Sequence, residues 1–259
     1  MKQKYTLPTR EEINAVTLNW KRYLLPDIHP EGVKILVAEL IGLFLLNWVI
    51  DFFAWITHVD GLRFLSTGLW FIGIPLLVFS FYFFRNPDRV SPKSEDLILA
   101  PADGIVSNIT RIIPPKELDL GDKPMIRIST FMSVFNVHVN RSPITGIVHR
   151  LNYRPGKFLN VADKDSEDNE RQEISIVAKN GQKIGVVQIA GLVARRIYCP
   201  LKEKDELAAG QVFGMIRFGS RLDVYLPEGV YPAVLPGQSM IAGETILADM
   251  SALHTGKGV

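Results

Sequence analysis

Residues 64–84 contain no charged side chain, and that run limits what the chain can fold into more than any other feature. As a helix it reaches about 30 Å, the thickness of a bilayer's hydrocarbon core. Gly68, Gly73 and Pro75 interrupt it, and membrane helices tolerate these residues better than soluble helices do. A second apolar run, residues 33–53, holds Glu39 inside it and Lys34 and Asp51 near its ends. A carboxylate in hydrocarbon costs roughly 2.5–3.5 kcal/mol, which the surrounding Ile, Leu, Phe and Trp offset. The connection 54–63 is short, so the two runs predict a helical hairpin, residues 33–84. Lys21, Arg22 and Lys34 lie before it, Arg85, Arg89 and Lys93 after it, and the connection carries only Arg63. The positive-inside rule then places both outer ends on the cytoplasmic side of the membrane. A buried helix pair in a soluble core and a shallow hairpin that does not cross are the competing arrangements.

Residues 1–32 mix Lys2, Lys4, Arg10, Lys21 and Arg22 with Trp20, Tyr23 and Leu24. They lack the short apolar core followed by small residues that marks a cleaved signal peptide. The mixture suits a segment lying on a membrane surface, or a solvated arm. The whole chain carries 29 basic and 27 acidic residues, which argues against a dedicated nucleic-acid binder. Its one cysteine, Cys199, permits no internal disulfide and reads as a small buried apolar residue.

Residues 85–259 read as a separate, β-rich domain. Apolar runs rich in Val and Ile alternate with Gly, Pro and Asn turns, at residues 97–100, 104–109, 125–129, 174–178, 183–189, 212–218 and 221–225. Asn180-Gly181 between two of them is a hairpin signal. Helical periodicity is confined to a short stretch near 157–164. Two segments, 100–106 and 235–246, resemble the strand–turn pieces of barrel-sandwich domains such as lipoyl carriers. No lysine stands at a hairpin tip as a carrier needs. Residues 163–173 are dense in charge, which suits either a solvated loop or a functional one.

The β-rich half has three histidines, His138, His149 and His254, and none is paired at metal-ligand spacing. No Gly-rich phosphate loop follows a strand and opens a helix. Three weak signals remain. Asp103 lies in Pro-Ala-Asp-Gly, which alone is a turn. His138 stands in the β-like run 135–141. Ser220 follows Gly219 between two strands, where a Gly-Ser pair is ordinarily a bulge or turn. Together they supply an acid, a base and a nucleophile, although spacing does not show that they meet.

Several ordered motifs carry a closer likeness: Phe84-Arg85-Asn86-Pro87, Pro101-Ala102-Asp103-Gly104, residues 135–143, Pro155-Gly156-Lys157-Phe158, Asn169-Glu170-Arg171 and Gly219-Ser220. They resemble, in order and over most of residues 84–248, the short form of the phosphatidylserine decarboxylase family. The resemblance implies a proenzyme that cuts itself between Gly219 and Ser220, its fragments staying associated. Ser220 would become a covalent pyruvoyl cofactor, with His138 taking the serine proton and Asp103 orienting the imidazole. The implied reaction converts phosphatidylserine to phosphatidylethanolamine at the cytoplasmic membrane, with no metal and no nucleic acid, and leaves a homo-oligomer open. Arg195 and Arg196, with Arg141 in reserve, are candidates for the lipid phosphate. One departure concerns Phe135, where some members carry a histidine that is a candidate proton donor. His138 itself, Tyr153 or His149 then takes that part. A membrane-anchored serine hydrolase using the same three residues, and a non-enzymatic lipoyl-like adaptor, are the alternatives.

Overall fold

The computed structural model describes residues 25–156, 169–191, 196–217 and 220–254. The short helix expected near 157–164 lies outside the described residues. Two compact units emerge, Pro26–Pro87 and a second one containing everything from Asp88 onward.

The first unit is an antiparallel helical pair. After strand β1 (Asp27–Ile28), helix α1 (Pro30–Thr57) begins with proline at its first turn, where the missing N–H costs nothing. It ends at His58, whose left-handed backbone lets its N–H reach the Ala54 carbonyl at 3.0 Å. Helix α2 (Asp60–Phe83) returns, and strand β2 (Arg85–Asn86) pairs with β1 to close the hairpin's base. The helices approach closely because small residues line the contact. A Cβ at Gly73 would sit 2.5 Å from Leu43 Cδ1, and one at Gly32 2.2 Å from Phe84 Cβ. Polar groups join the helices from inside: Ser66 donates to Asn47 at 2.9 Å and Ser80 to Glu39 at 2.9 Å. Glu39, the residue that weakened the first apolar run, thus faces its partner helix. Leu45, Trp48, Trp55, Phe64, Phe71 and Val78 point outward, each at least half exposed. Both helices are long and apolar enough to cross a bilayer, so the outer faces suit hydrocarbon and the inner seam carries the polar groups.

The second unit is mostly β. Its strands are β3 (Leu97–Leu99), β4 (Gly104–Ile112), β5 (Met125–Met132), β6 (Val139–Arg141), β7 (Gly146–Arg154), β8 (Arg171–Ala178) and β9 (Lys183–Ala190). Then come β10 (Ile197–Tyr198), β11 (Glu206–Leu207), β12 (Val212–Ile216), β13 (Ser220–Leu226), β14 (Ser239–Met240) and β15 (Ile246–Asp249), before a one-turn helix α3 (Ser251–His254). The main sheet runs β11-β7-β8-β9-β13-β5-β4-β14. Val148 from β7 and Val106 from β4 belong to one buried cluster with Ile128, Ile176, Val186 and Leu222, so the sheet curls round a single core. A second sheet, β10-β12-β6, and the pair β15-β3 complete the enclosure. Asn180-Gly181 makes the β8–β9 turn as expected, with Gly181 at φ 81° and the Gln182 N–H bonded to Asn180 Oδ1 at 3.1 Å.

Strands β5, β9 and β13 have period-two order on a shared inner face. Ser220, Leu222 and Val224 oppose Met132, Thr130 and Ile128 on one side and Ala190, Gln188 and Val186 on the other. Two of these inward positions, Thr130 and Gln188, are polar and fully buried.

Candidate active site

Ser220 opens β13; Phe218 and Gly219 lie outside the described residues. Its backbone is fixed from both sides, opposite Met132 and opposite Ala190. The side chain points inward and is fully buried. Its hydroxyl donates to Met132 Sδ at 3.3 Å. A thioether is a weak acceptor, so a stronger base nearby competes easily for that proton.

Strand register brings Asp103 to the same end of the sheet. Ile105 opposes Phe131, so one step further Gly104 is level with Met132, in the row that continues to Ser220. Two strand spacings separate Gly104 from Ser220, about 10 Å between backbones, and Asp103 is the next residue. Glycine is required at 104: a Cβ would meet the Phe131 carbonyl oxygen at 2.2 Å. The Asp103 carboxylate accepts from Arg89 Nη2 at 2.8 and 3.0 Å and from the Ala242 N–H at 2.8 Å.

His138 is fully buried. Its carbonyl accepts from the Ile216 N–H at 3.3 Å, and only residues 217–219 separate Ile216 from Ser220. On its other side, Arg141 N–H bonds Pro101 and Leu99 N–H bonds Pro143, at 2.9 and 2.8 Å. His138 Nδ1 lies 2.9 Å from the Asn136 carbonyl oxygen. A carbonyl only accepts, so Nδ1 carries the proton and Nε2 is the basic nitrogen.

The remaining candidates divide by position. Arg141 is half-buried near Arg89 and Asp103, with Nη1 on the Gly210 carbonyl at 3.0 Å; burial, then the Arg89 charge, lowers its pKa. Arg196 is exposed and its carbonyl takes the Arg217 N–H at 3.2 Å, placing it on the segment that leads to Ser220. Arg195 lies outside the described residues. Tyr153 donates to Glu170 Oε1 at 3.1 Å, and the Glu170 carbonyl takes the Ala190 N–H at 2.9 Å, so Tyr153 sits at the Ser220 end. His149 does not. Its Nε2 is 2.8 Å from Asp119 Oδ2 in a surface cluster with Lys183, and Lys183 lies at the opposite end of β9 from Ala190, about 23 Å along the strand. Phe135 is two-thirds exposed on the loop before His138. The charge-dense run is no solvated loop where it is described: Glu170, Arg171 and Glu173 are buried as β8 begins. Burial raises the Glu173 pKa, against the hydrogen bond from Asn152.

Residues with no motif of their own complete the site. Asn140 Nδ2 reaches the same Met132 sulfur at 4.0 Å, and Gln188 Nε2 donates to Asn140 Oδ1 at 2.8 Å. Arg89, outside every motif, holds Asp103. The signal for Gln188 was present as a polar residue at a core-facing step of the run 183–189. Nothing in the sequence marked Arg89 as the partner of Asp103.

Ser220 and His138 are buried and the Asp103 carboxylate is anchored, and these are residue types from which nucleophile activation can be built. The family model for phosphatidylserine decarboxylase matches residues 76–248. A phosphatidylserine decarboxylase proenzyme of Cereibacter sphaeroides is 58% identical over 229 residues, covering 88% of this chain and 92% of that protein. One of Ruegeria pomeroyi is 53% identical over 227 residues, covering 87% and 96%. The chain belongs to the phosphatidylserine decarboxylase family of enzymes.

Proposed function

We propose that this chain is a proenzyme that cuts itself between Gly219 and Ser220 and then decarboxylates phosphatidylserine to phosphatidylethanolamine at the membrane. The observation that supports the reading is that Ser220 lies in one row with Met132 and Gly104, the residue after Asp103, while the His138 carbonyl takes the Ile216 N–H four residues before Ser220. Met132 leaves the Ser220 hydroxyl weakly held. His138 Nε2 takes its proton while Asn136 fixes the ring and Asp103, anchored by Arg89, supplies the compensating charge. Ser220 Oγ attacks the Gly219 carbonyl and the amide becomes an ester. Loss of the Ser220 α-proton then breaks the Cβ–Oγ bond, releasing Gly219 as a carboxylate and leaving dehydroalanine at 220. Water enters, ammonia leaves, and residue 220 becomes a pyruvoyl group.

The surroundings suit that group. Conversion removes the backbone N–H of residue 220 but leaves the pairing of β13 from Arg221 onward intact. The Met132 side chain presents a soft apolar surface for the methyl that replaces the hydroxymethyl. The pyruvoyl ketone supplies an electron-withdrawing carbonyl that takes up the electron pair left when carbon dioxide departs. Arg196, exposed at this end, is the best-placed described cation for a lipid phosphate, with Arg141 deeper in the site. The apolar hairpin keeps the chain at the bilayer where a diacyl substrate resides, and the basic residues flanking it favour the cytoplasmic side.

Intact mass under denaturing conditions tests the reading. Wild-type protein should give two chains, residues 1–219 and a piece beginning at 220 that resists amine sequencing. Ser220→Ala should stay one chain and decarboxylate nothing. A wild-type sample active on phosphatidylserine yet uncut at 219–220 would sink the proposal.

A further inference from the structure

Among the described residues, two polar atoms in the buried wall one inward step from Ser220 have no hydrogen-bond partner: Thr130 Oγ1 and Gln188 Oε1. Both residues are fully buried. Leaving such a group unsatisfied costs about 1–3 kcal/mol, and an orphan of this kind in a folded protein calls for a reason. Other buried hydroxyls, Ser175 among them, also lack partners, but these two share a location. Thr130 and Gln188 oppose Leu222 from its two sides, on the same face as Ser220 and one inward step along β13. Diagonal neighbours of this type lie within roughly 7–8 Å, in reach of a long side chain.

Gln188 is held deliberately. Its Nε2 is bonded to Asn140 Oδ1, and Asn140 in turn touches the sulfur that receives the Ser220 hydroxyl. Strand β12 closes over it through Gly214, where a Cβ would stand 3.4 Å from Gln188 Nε2 and 2.4 Å from the Tyr198 carbonyl. With the amide nitrogen committed, the remaining oxygen is an acceptor and nothing else. The Thr130 hydroxyl both accepts and donates. On its far side, the Asp103-Gly104 turn packs against it, the Gly104 Cβ position lying 3.0 Å from Thr130 Cγ2.

We infer that Thr130 and Gln188 are an amine-binding pair for residue 220. Two acceptors flanking Leu222, one inward step from residue 220 and inside an apolar wall, suit N–H donors. Two such donors arise at the α-carbon of residue 220 under the proposed function, on which this inference rests. The first is the nitrogen that leaves as ammonia, in exchange for water, when dehydroalanine becomes pyruvoyl. The second is the primary amine of the lipid head group. The proenzyme therefore carries two unmet acceptors that are satisfied only after the chain is cut. Both are positioning residues, with Asn140 and Gly214 holding Gln188 in place.

The full-length chain in detergent, as wild type, Gln188→Met, Gln188→Glu and Thr130→Val, tests this with three readings. These are the mass of the fragment starting at 220, ammonia released per chain, and decarboxylation of phosphatidylserine in mixed micelles. All four should be cut at 219–220. Gln188→Met should release ammonia about tenfold more slowly, as expected for one lost hydrogen bond. Its fragment should persist at a mass differing from the final one by ammonia exchanged for water, and KM for the lipid should rise. Gln188→Glu keeps the acceptor but loses the donor to Asn140, so it should recover both rates in part, which a packing role would not give. Should Gln188→Met fail to fold, Thr130→Val, which keeps the shape, should show the same delay. Ammonia release and KM at wild-type values in Gln188→Met or Thr130→Val overturn the inference. A wild-type chain that is never cut overturns the reading beneath it instead.

Discussion

The helical hairpin and the curled sheet treat buried polar groups in opposite ways. In the hairpin the apolar side chains face outward and the polar ones form the seam, as Asn47–Ser66 and Glu39–Ser80 pairs. In the β unit the apolar side chains form the core, and a file of polar residues, Ser220, Asn140, Gln188 and Thr130, is set within it. The seam pairs join two helices whose outward faces are apolar and offer no other partner. The file joins Ser220, Asn140 and Gln188 through Met132 but is incomplete, since among the described residues Thr130 Oγ1 and Gln188 Oε1 have no partner. Paired polar groups hold elements together; unpaired ones beside a nucleophile point to something that arrives later.

That contrast can be broken by substitution. The largest effect is expected next to the file: under the proposed function His138→Gln keeps a polar side chain but removes the base, and cleavage followed by gel and mass should slow by about 10²–10⁴-fold. Cleavage at the wild-type rate would show that the serine is activated by another group. A smaller effect belongs to the seam. A double-mutant cycle of Asn47→Leu and Ser66→Ala, read by unfolding in mixed micelles, should give a coupling near 0.6 kcal/mol, with cleavage unchanged. A coupling of zero would mean that the pair merely fills space.

The smallest effect is expected at the surface, where neither logic applies. The hydrogen bond from His149, then that from Lys183 and its charge, hold the Asp119 carboxylate at a pKa of about 2 against an ordinary 3.8. A depressed carboxylate contributes stability that is complete above its unfolded pKa and is lost as pH falls through the folded one. The contribution should therefore fade between about pH 4 and pH 2. Because the cluster is exposed, the change in melting temperature should be slight. Carbon-detected NMR should find the Asp119 titration near 2 in wild type and nearer 3.8 in Lys183→Ala. An unmoved midpoint would assign the shift to His149 alone.

Much of this protein was legible in its sequence because the signals were local. Residues 64–84 declare a long apolar helix, and Asn180-Gly181 declares a hairpin. The alternating runs mark β5, β9 and β13 close to their observed bounds, although β8 starts at Arg171, earlier than the apolar run at 174–178 implied. The charged residues at its start hid it, because burial there is decided by Asn169 Nδ2 on the Ala190 carbonyl at 2.9 Å and by neighbouring strands, which no local pattern encodes. Asp103, His138 and Ser220 could be named as candidates from residue type alone, whereas the place of His149, beside Asp119 and Lys183, could not be read from it.

The sequence by itself determined the two kinds of region, the periodicity of each and the residue types able to do chemistry, because propensity and hydrophobic pattern act over a few neighbouring residues. Only the tertiary structure decided that Glu39 faces Ser80, that Arg89 holds Asp103, and that Met132, Asn140, Thr130 and Gln188 gather around Ser220. Those contacts depend on strand register and on the curl of the sheet, which join residues tens of positions apart through pairing that a single stretch of chain does not specify.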